Sequence, residues 1–131
     1  MTIVDTTVWV DYLNDVSNVH TEWLAQHAYR KQVALTDLIL CELLQGVRGD
    51  AEFQRVRASL SYVPLIDGHG AEIAVASARN YRILRGRGIR VRKFVDTWTA
   101  TVCIERGLSL LHHDRDYDAF EEHLGLKVIH P

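Results

Sequence analysis

Five carboxylates stand in this chain at points where solubility alone explains them poorly. Asp5 follows the apolar pair Ile3 and Val4 in "MTIVDTTVWVDYL", and Glu42 interrupts an apolar run in "TDLILCELLQGV". Asp96 precedes a helical stretch in "VRKFVDTWTATVCIERG", and Asp114 and Asp116 follow the apolar run of "LSLLHHDRDYDAF". Each has a plain structural reading. Asp5 reads equally as a turn residue, Glu42 as an exposed acid beside a wide apolar stripe, and Asp96 as a helix N-cap. Gathered in one pocket, they acquire a chemical reading. Neighbouring carboxylates raise one another's pKa values unless a cation sits among them. An all-oxygen donor set with room for water suits Mg²⁺ or Mn²⁺. Such an ion holds a phosphate, lowers the pKa of water and stabilises the departing oxyanion. The reaction this chemistry serves is phosphodiester hydrolysis.

Whether the acids converge depends on the elements that carry them. Short β-branched runs predict strands at Ile3–Val4, Val33–Leu35, Tyr62–Leu65, Ser109–Leu111 and Lys127–Ile129. Helical spacing predicts helices over Val8–Leu13, Glu22–Tyr29, Asp37–Val47, Ala51–Leu60, Glu72–Leu84, Thr97–Arg106 and Ala119–Leu124. A threonine after Asp5 is the expected N-cap of the first helix. This alternation predicts an α/β architecture with a mainly parallel twisted sheet flanked by helices. In open sheets of that kind, ligands bind beyond the carboxyl ends of the strands. Asp5, Asp114 and Asp116 follow predicted strands, and Asp96 begins a helix. On a helix Glu42 shares a face with Leu38 and Ile39, where an unpartnered charge is costly.

Composition narrows the class. The 131 residues fit a single domain, 1–131, with a hydrophobic fraction of 47% and no low-complexity tract. No apolar run approaches the ~18–20 residues of a membrane span. The first residues lack a basic-then-apolar leader pattern, so a cytoplasmic location is expected. Cys41 and Cys103 are isolated among apolar neighbours and read as core fillers; the seven histidines show no zinc spacing. A net charge of −2 argues against a generic nucleic-acid binder. The stretch "RNYRILRGRGIRVRK", Arg79 to Lys93, nevertheless holds seven cations and no acid. It reads as a solvated surface or as a footprint for phosphates or an acidic partner segment.

With these stretches in order, and "GLKVI" closing them, the chain resembles the PIN-domain ribonucleases, specifically the VapC-type toxins of bacterial toxin–antitoxin pairs. The resemblance spans essentially the whole chain. It implies a compact parallel sheet with an acidic Mg²⁺ (or Mn²⁺) site at the strand ends. The family's four acids fall on Asp5, Glu42, Asp96 and Asp114, with Asp116 as a fifth acid or a replacement for Asp114. Thr6 matches the hydroxyl residue that follows the first acid and orients it or a water. His112 departs from the pattern, since relatives carry Thr or Ser there, and it becomes a candidate phosphate contact. The resemblance further implies cleavage of structured RNA such as transfer or ribosomal RNA, a homodimer, and a VapB-type antitoxin. By the same analogy Trp9 and Tyr12 line the antitoxin groove.

Two other functions compete on sequence grounds. A PIN-like module that binds RNA or protein without turnover is one, although the complete acid set favours an enzyme. A phosphatase with Asp5 as nucleophile is the other. Such sites usually place a second acid two residues on, where this chain has Thr7.

Overall fold

Five short strands, of which the middle three are too apolar to face water, dictate the centre of the molecule. In the computed structural model, which describes residues 1–131, they are β1 (Thr2–Val4), β2 (Val33–Thr36), β3 (Leu65–Ile66), β4 (Ser109–Leu111) and β5 (Lys127–Val128). All pair in parallel, in the order β3-β2-β1-β4-β5. Ile3, Val4, Ala34, Leu110 and Leu111 are completely buried. The three middle strands are therefore covered on both faces, as parallel sheets require. The covering helices are α1 (Thr6–Leu13), α2 (Val19–Tyr29), α3 (Asp37–Gln45), α4 (Asp50–Leu60), α5 (Ala71–Gly86), α6 (Phe94–Arg106) and α7 (Asp118–Leu124). A 3₁₀ turn spans Arg115–Tyr117. The α/β class and parallel sheet expected from the sequence are thus present.

The strand order places the crevice. From β1 the chain builds outward through β2 and β3, then returns to lay β4 on the other side of β1. Strand order reverses between β1 and β4, the place where open parallel sheets leave a cleft at their carboxyl ends. Thr2, Ile3 and Val4 lie opposite Ser109, Leu110 and Leu111. The Asp5 N–H continues this ladder, donating to the Leu111 carbonyl at 2.9 Å. Asp5 and the residues after Leu111 are therefore held side by side.

Helix α6 is fixed from both ends. At its end Gly107 adopts φ 65°, and the Leu108 N–H turns back to the Cys103 carbonyl at 2.9 Å, sending the chain into β4. Near its start the Trp98 indole N–H donates to the Gly68 carbonyl. Gly68 sits tightly there: a Cβ would lie 3.3 Å from both Asp37 Oδ1 and Val102 Cγ2. The loop after β3 thereby locks α6 against α3.

Some boundaries differ from expectation, each for a physical reason. Asp5 itself caps α1, which begins at Thr6, so no threonine is the cap. Helix α6 begins at Phe94, three residues early, and Asp96 lies inside its first turn rather than at the cap. Strand β3 starts at Leu65 instead of Tyr62, because Pro64 has no N–H to give a ladder and contributes only its carbonyl, to Leu35 N–H at 2.9 Å. Cys103 is buried as expected, whereas Cys41 is exposed. Trp9 is core, 3% exposed, and so does not line a surface groove; Tyr12, edge-on to it, remains accessible.

Central and edge strands should differ sharply in what they contribute. Leu110→Ala leaves a cavity at a fully buried position of β4 and is expected to cost about 2–5 kcal/mol. Leu65→Ala, on the half-exposed edge strand β3, should cost under about 1 kcal/mol. Urea melts of both variants check this, and equal losses would mean that the core does not lie along β1 and β4.

Candidate metal centre

Asp5 is pinned by three donors. Its Oδ2 accepts from the Thr7 N–H at 3.1 Å and from the Thr7 hydroxyl at 2.7 Å, and its Oδ1 accepts from the Tyr117 hydroxyl at 2.7 Å. The Thr7 hydroxyl oxygen also receives the His113 N–H, at 3.2 Å, which ties the segment after β4 to the start of α1. The two sequence readings of Asp5 are therefore not alternatives. One carboxylate both caps a helix and faces the crevice.

Across the crevice stands Asp96, 7% exposed, in the first turn of α6. Its Oδ2 is buried and has no hydrogen-bond partner. Carboxylate oxygens of Asp96, Asp114 and Asp116 lie within 4.8 Å of one another. The last two come from the segment after β4, where Asp114 Oδ1 accepts from the Asp116 N–H at 2.9 Å. Glu42 projects from the second turn of α3, and its Oε1 accepts from the Thr6 hydroxyl at 2.9 Å. Asp5 and Glu42 lie outside the tight trio; the Asp5 charge acts on both Asp96 and Glu42. Two cations from the segment before α6 cover its rim: Arg92 donates to Asp116 at 2.8 Å, and Lys93 Nζ lies 3.8 Å from Asp114.

The electrostatics follow from this crowding. Burial pushes the Asp96 carboxyl up to about 6, helped by the charges of Asp5 and Asp114 and opposed by Lys93. Burial also raises Glu42; its bond from Thr6 opposes that shift and the Asp5 charge adds to it. Tyr117 is buried beside Asp5 and Asp96, so its phenol is raised well above its ordinary value and remains a donor. His112 is lowered by burial. Its Nδ1 accepts the Asp114 N–H at 3.1 Å, and its Nε2 is buried without a partner. His112 is thus a packed support against Tyr117 rather than an exposed phosphate contact.

A divalent cation fits this place. The donors are all carboxylate oxygens, three of them mutually close, and one is buried without a partner although it costs energy to leave so. Asp96, Asp114 and Asp116 are the residues within reach of one ion, with Asp5 and Glu42 beside them. A second group, Asp37, Asp67 and His69, is explained locally, since Asp37 already receives Gly68 N–H and Leu38 N–H and pairs with His69.

Sequence reasoning missed Thr7 and Tyr117 as parts of the site, and it named Arg92 and Lys93 only within the basic stretch, not as partners of the acids. Thr7 carries a recognisable signal, an acid–x–hydroxyl pattern at a strand-to-helix junction. Tyr117 carries none, because nothing local says that a residue of the 3₁₀ turn reaches back to Asp5. Of the basic stretch, Arg79, Arg82 and Arg85 lie exposed on α5, while Arg92 and Lys93 bend over the acids.

In the metal-free protein the Asp96 carboxyl should titrate near 6, by ¹³C NMR, against 3.8 for an ordinary aspartate. The folded state then binds more protons than the unfolded chain between those values. This group's contribution to stability therefore falls as pH rises through that window, with its penalty complete above it. Asp5→Asn removes the largest charge contribution and should bring the Asp96 titration down; no change would mean that the two carboxylates do not interact.

The comparisons with known proteins agree with this geometry. The family model described as PIN domain matches residues 2–122. Ribonuclease VapC11 of Mycobacterium tuberculosis is 27% identical over 122 residues, 90% of each chain. In fold, the chain resembles one from the crystal structure of VapBC2 from Rickettsia felis bound to a promoter DNA fragment, with a TM-score of 0.78 at 16% identity over 98% of this chain and 96% of that one. It also resembles one from a toxin–antitoxin complex of Klebsiella pneumoniae, with a TM-score of 0.73 at 20% identity over 100% and 98%. A family model that runs from β1 to α7, and so through every acid of the crevice, leaves no ambiguity of assignment: the chain belongs to the PIN domain family.

Proposed function

We propose that the protein is a VapC-type endoribonuclease, the toxin of a toxin–antitoxin pair, that hydrolyses RNA phosphodiester bonds with a divalent cation, Mg²⁺ or Mn²⁺. The observation that carries this reading is the buried, unpartnered Oδ2 of Asp96 among the carboxylates of Asp114 and Asp116, at the ends of β1 and β4. Relatives named VapC ribonucleases support the substrate class. Asp96, Asp114 and Asp116 would hold the ion, with Asp5 and Glu42 completing its surroundings. When bound, the ion supplies a lowered pKa for water and a positive charge for the phosphoryl oxygens.

The chain's own residues supply the rest. Thr7 and Tyr117 hold Asp5 in one orientation. Thr6 holds Glu42 by Oε1 and leaves Oε2 free to accept a proton from the attacking water. The raised proton affinity of Glu42 suits that role. Lys93 and Arg92 place positive charge where the RNA backbone must approach. Structured RNA such as transfer or ribosomal RNA is the proposed substrate, and a homodimer bound by a VapB-type antitoxin in the cytoplasm is the proposed setting. Complexes of VapBC type among the fold neighbours support the antitoxin.

RNA cleavage should require the ion, stop in EDTA, leave 5′-phosphate and 3′-hydroxyl ends, and vanish in Asp96→Asn. End-mapping of the products decides this; cyclic phosphate ends or cleavage in EDTA would refute it.

Stability should separate the acids. Asp96→Asn removes a desolvated charge with an unpartnered oxygen, so the metal-free variant should melt at the same temperature as its parent or higher. Asp5→Asn loses part of a cap and of a buried hydrogen-bond network, and should cost about 1–2 kcal/mol. Mn²⁺ should raise the parent's melting temperature by mass action and raise that of Asp96→Asn far less. An equal response in both would place the ion elsewhere.

A further inference from the structure

Beyond Asp114 the crevice continues into a cleft of about 390 Å³ at the carboxyl ends of β4 and β5. His113, immediately before Asp114, is exposed there. Its ring stacks on that of His20 at the start of α2, with centroids 4.6 Å apart and planes 15° from parallel. The His113 backbone is itself anchored by the Thr7 hydroxyl that also holds Asp5. Arg115, on the same wall, is exposed and forms no ion pair, although Asp114 and Asp118 line the cleft with it. The other arginine near the acids, Arg92, is taken up by Asp116.

This combination has a specific chemistry. A flat aromatic surface held by a second ring, with a free guanidinium beside it, matches one unpaired nucleotide: a base to stack and a phosphate to pair. Asp114 belongs both to the acidic group and to the lining of this cleft, so a strand at the acids has His113 and Arg115 within the adjoining cleft. We propose that this cleft seats the nucleotide adjacent to the scissile phosphate, its base on the His113–His20 pair and its phosphate on Arg115. The assignment rests on the ribonuclease reading and gives that reading a subsite chosen by stacking, indifferent to Watson–Crick identity but demanding an unpaired base.

The test is a fluorescence titration of the full chain, in EDTA and low salt, with a short single-stranded oligoribonucleotide carrying 2-aminopurine. Binding should quench the fluorophore. His113→Ala should weaken binding about tenfold, and His113→Phe should restore it, as stacking requires. Arg115→Gln should reduce the slope of log affinity against log salt by roughly 0.7, the share of one single-strand phosphate contact. In cleavage assays His113→Ala should raise KM with far less change in kcat. Unaltered binding by His113→Ala, or equal weakness of the Phe variant, would overturn the proposal. If the parent protein cleaves no RNA, the ribonuclease reading falls, yet the titration still decides the cleft: differential binding retains a nucleotide site and equal binding ends it.

Discussion

Asp5 and Asp96 meet with little exposure to water, and the repulsion between their charges is the constraint around which the neighbouring residues are arranged. Burial, and then the Asp5 charge, disfavour ionisation of Asp96. Left free, such side chains would turn to solvent. Here they are restrained: Asp5 by Thr7 and Tyr117, Asp96 by its place in the first turn of α6, Glu42 by Thr6. The restraint depends in turn on the rigid core, since Tyr117 and Leu111 are among the most buried side chains of the molecule.

Topology converts that restraint into a site. At the β1–β4 junction two adjacent parallel strands send their chains toward opposite edges of the sheet, β1 to β2 and β4 to β5. The start of α1 also points its N-terminus toward the crevice, with Asp5 as its cap. Helix N-termini carry partial positive charge, so the starts of α1 and α6 offset some of the repulsion that the acids create. Lys93 stands at the N-cap of α6 without a capping side chain, and its ammonium adds to the same end.

Much of this was legible in the sequence. The five strands and seven helices all appear, because their apolar patterns are strong and short-range. All five acids could be named because four interrupted or followed an apolar run and Asp96 stood before a helical stretch. What could not be read was set by partners distant in the chain. The start of α2 at Val19 depends on a reciprocal Asn18–Thr21 capping box, which uses a threonine where the familiar pattern has Glu or Gln. The burial of Trp9 and His112 follows from packing against elements far along the chain. The bond from Tyr117 to Asp5 spans 112 positions and left no local trace. Asp96 shows the opposite limit: its residue type fitted an N-cap so well that local reasoning offered an adequate but incorrect structural role.

The two rim cations offset part of the acidity of this place. Five carboxylates, those of Asp5, Glu42, Asp96, Asp114 and Asp116, face two internal cations, Arg92 and Lys93, an excess of three negative charges when all are ionised. Protonation of Asp96, whose carboxyl is pushed up to about 6, reduces that excess further as pH falls through that value. A divalent cation would reduce it from three to one. Both internal cations are mostly exposed, so their pairs with Asp114 and Asp116 are weak and readily exchanged. The buried Asp96 oxygen, by contrast, has no internal partner to give up. Asp96 Oδ2 would be open to a cation as it stands, whereas at Asp116 and Asp114 a cation would compete with Arg92 and Lys93. On the ribonuclease function proposed above, Arg92 and Lys93 would then be available to a substrate phosphate.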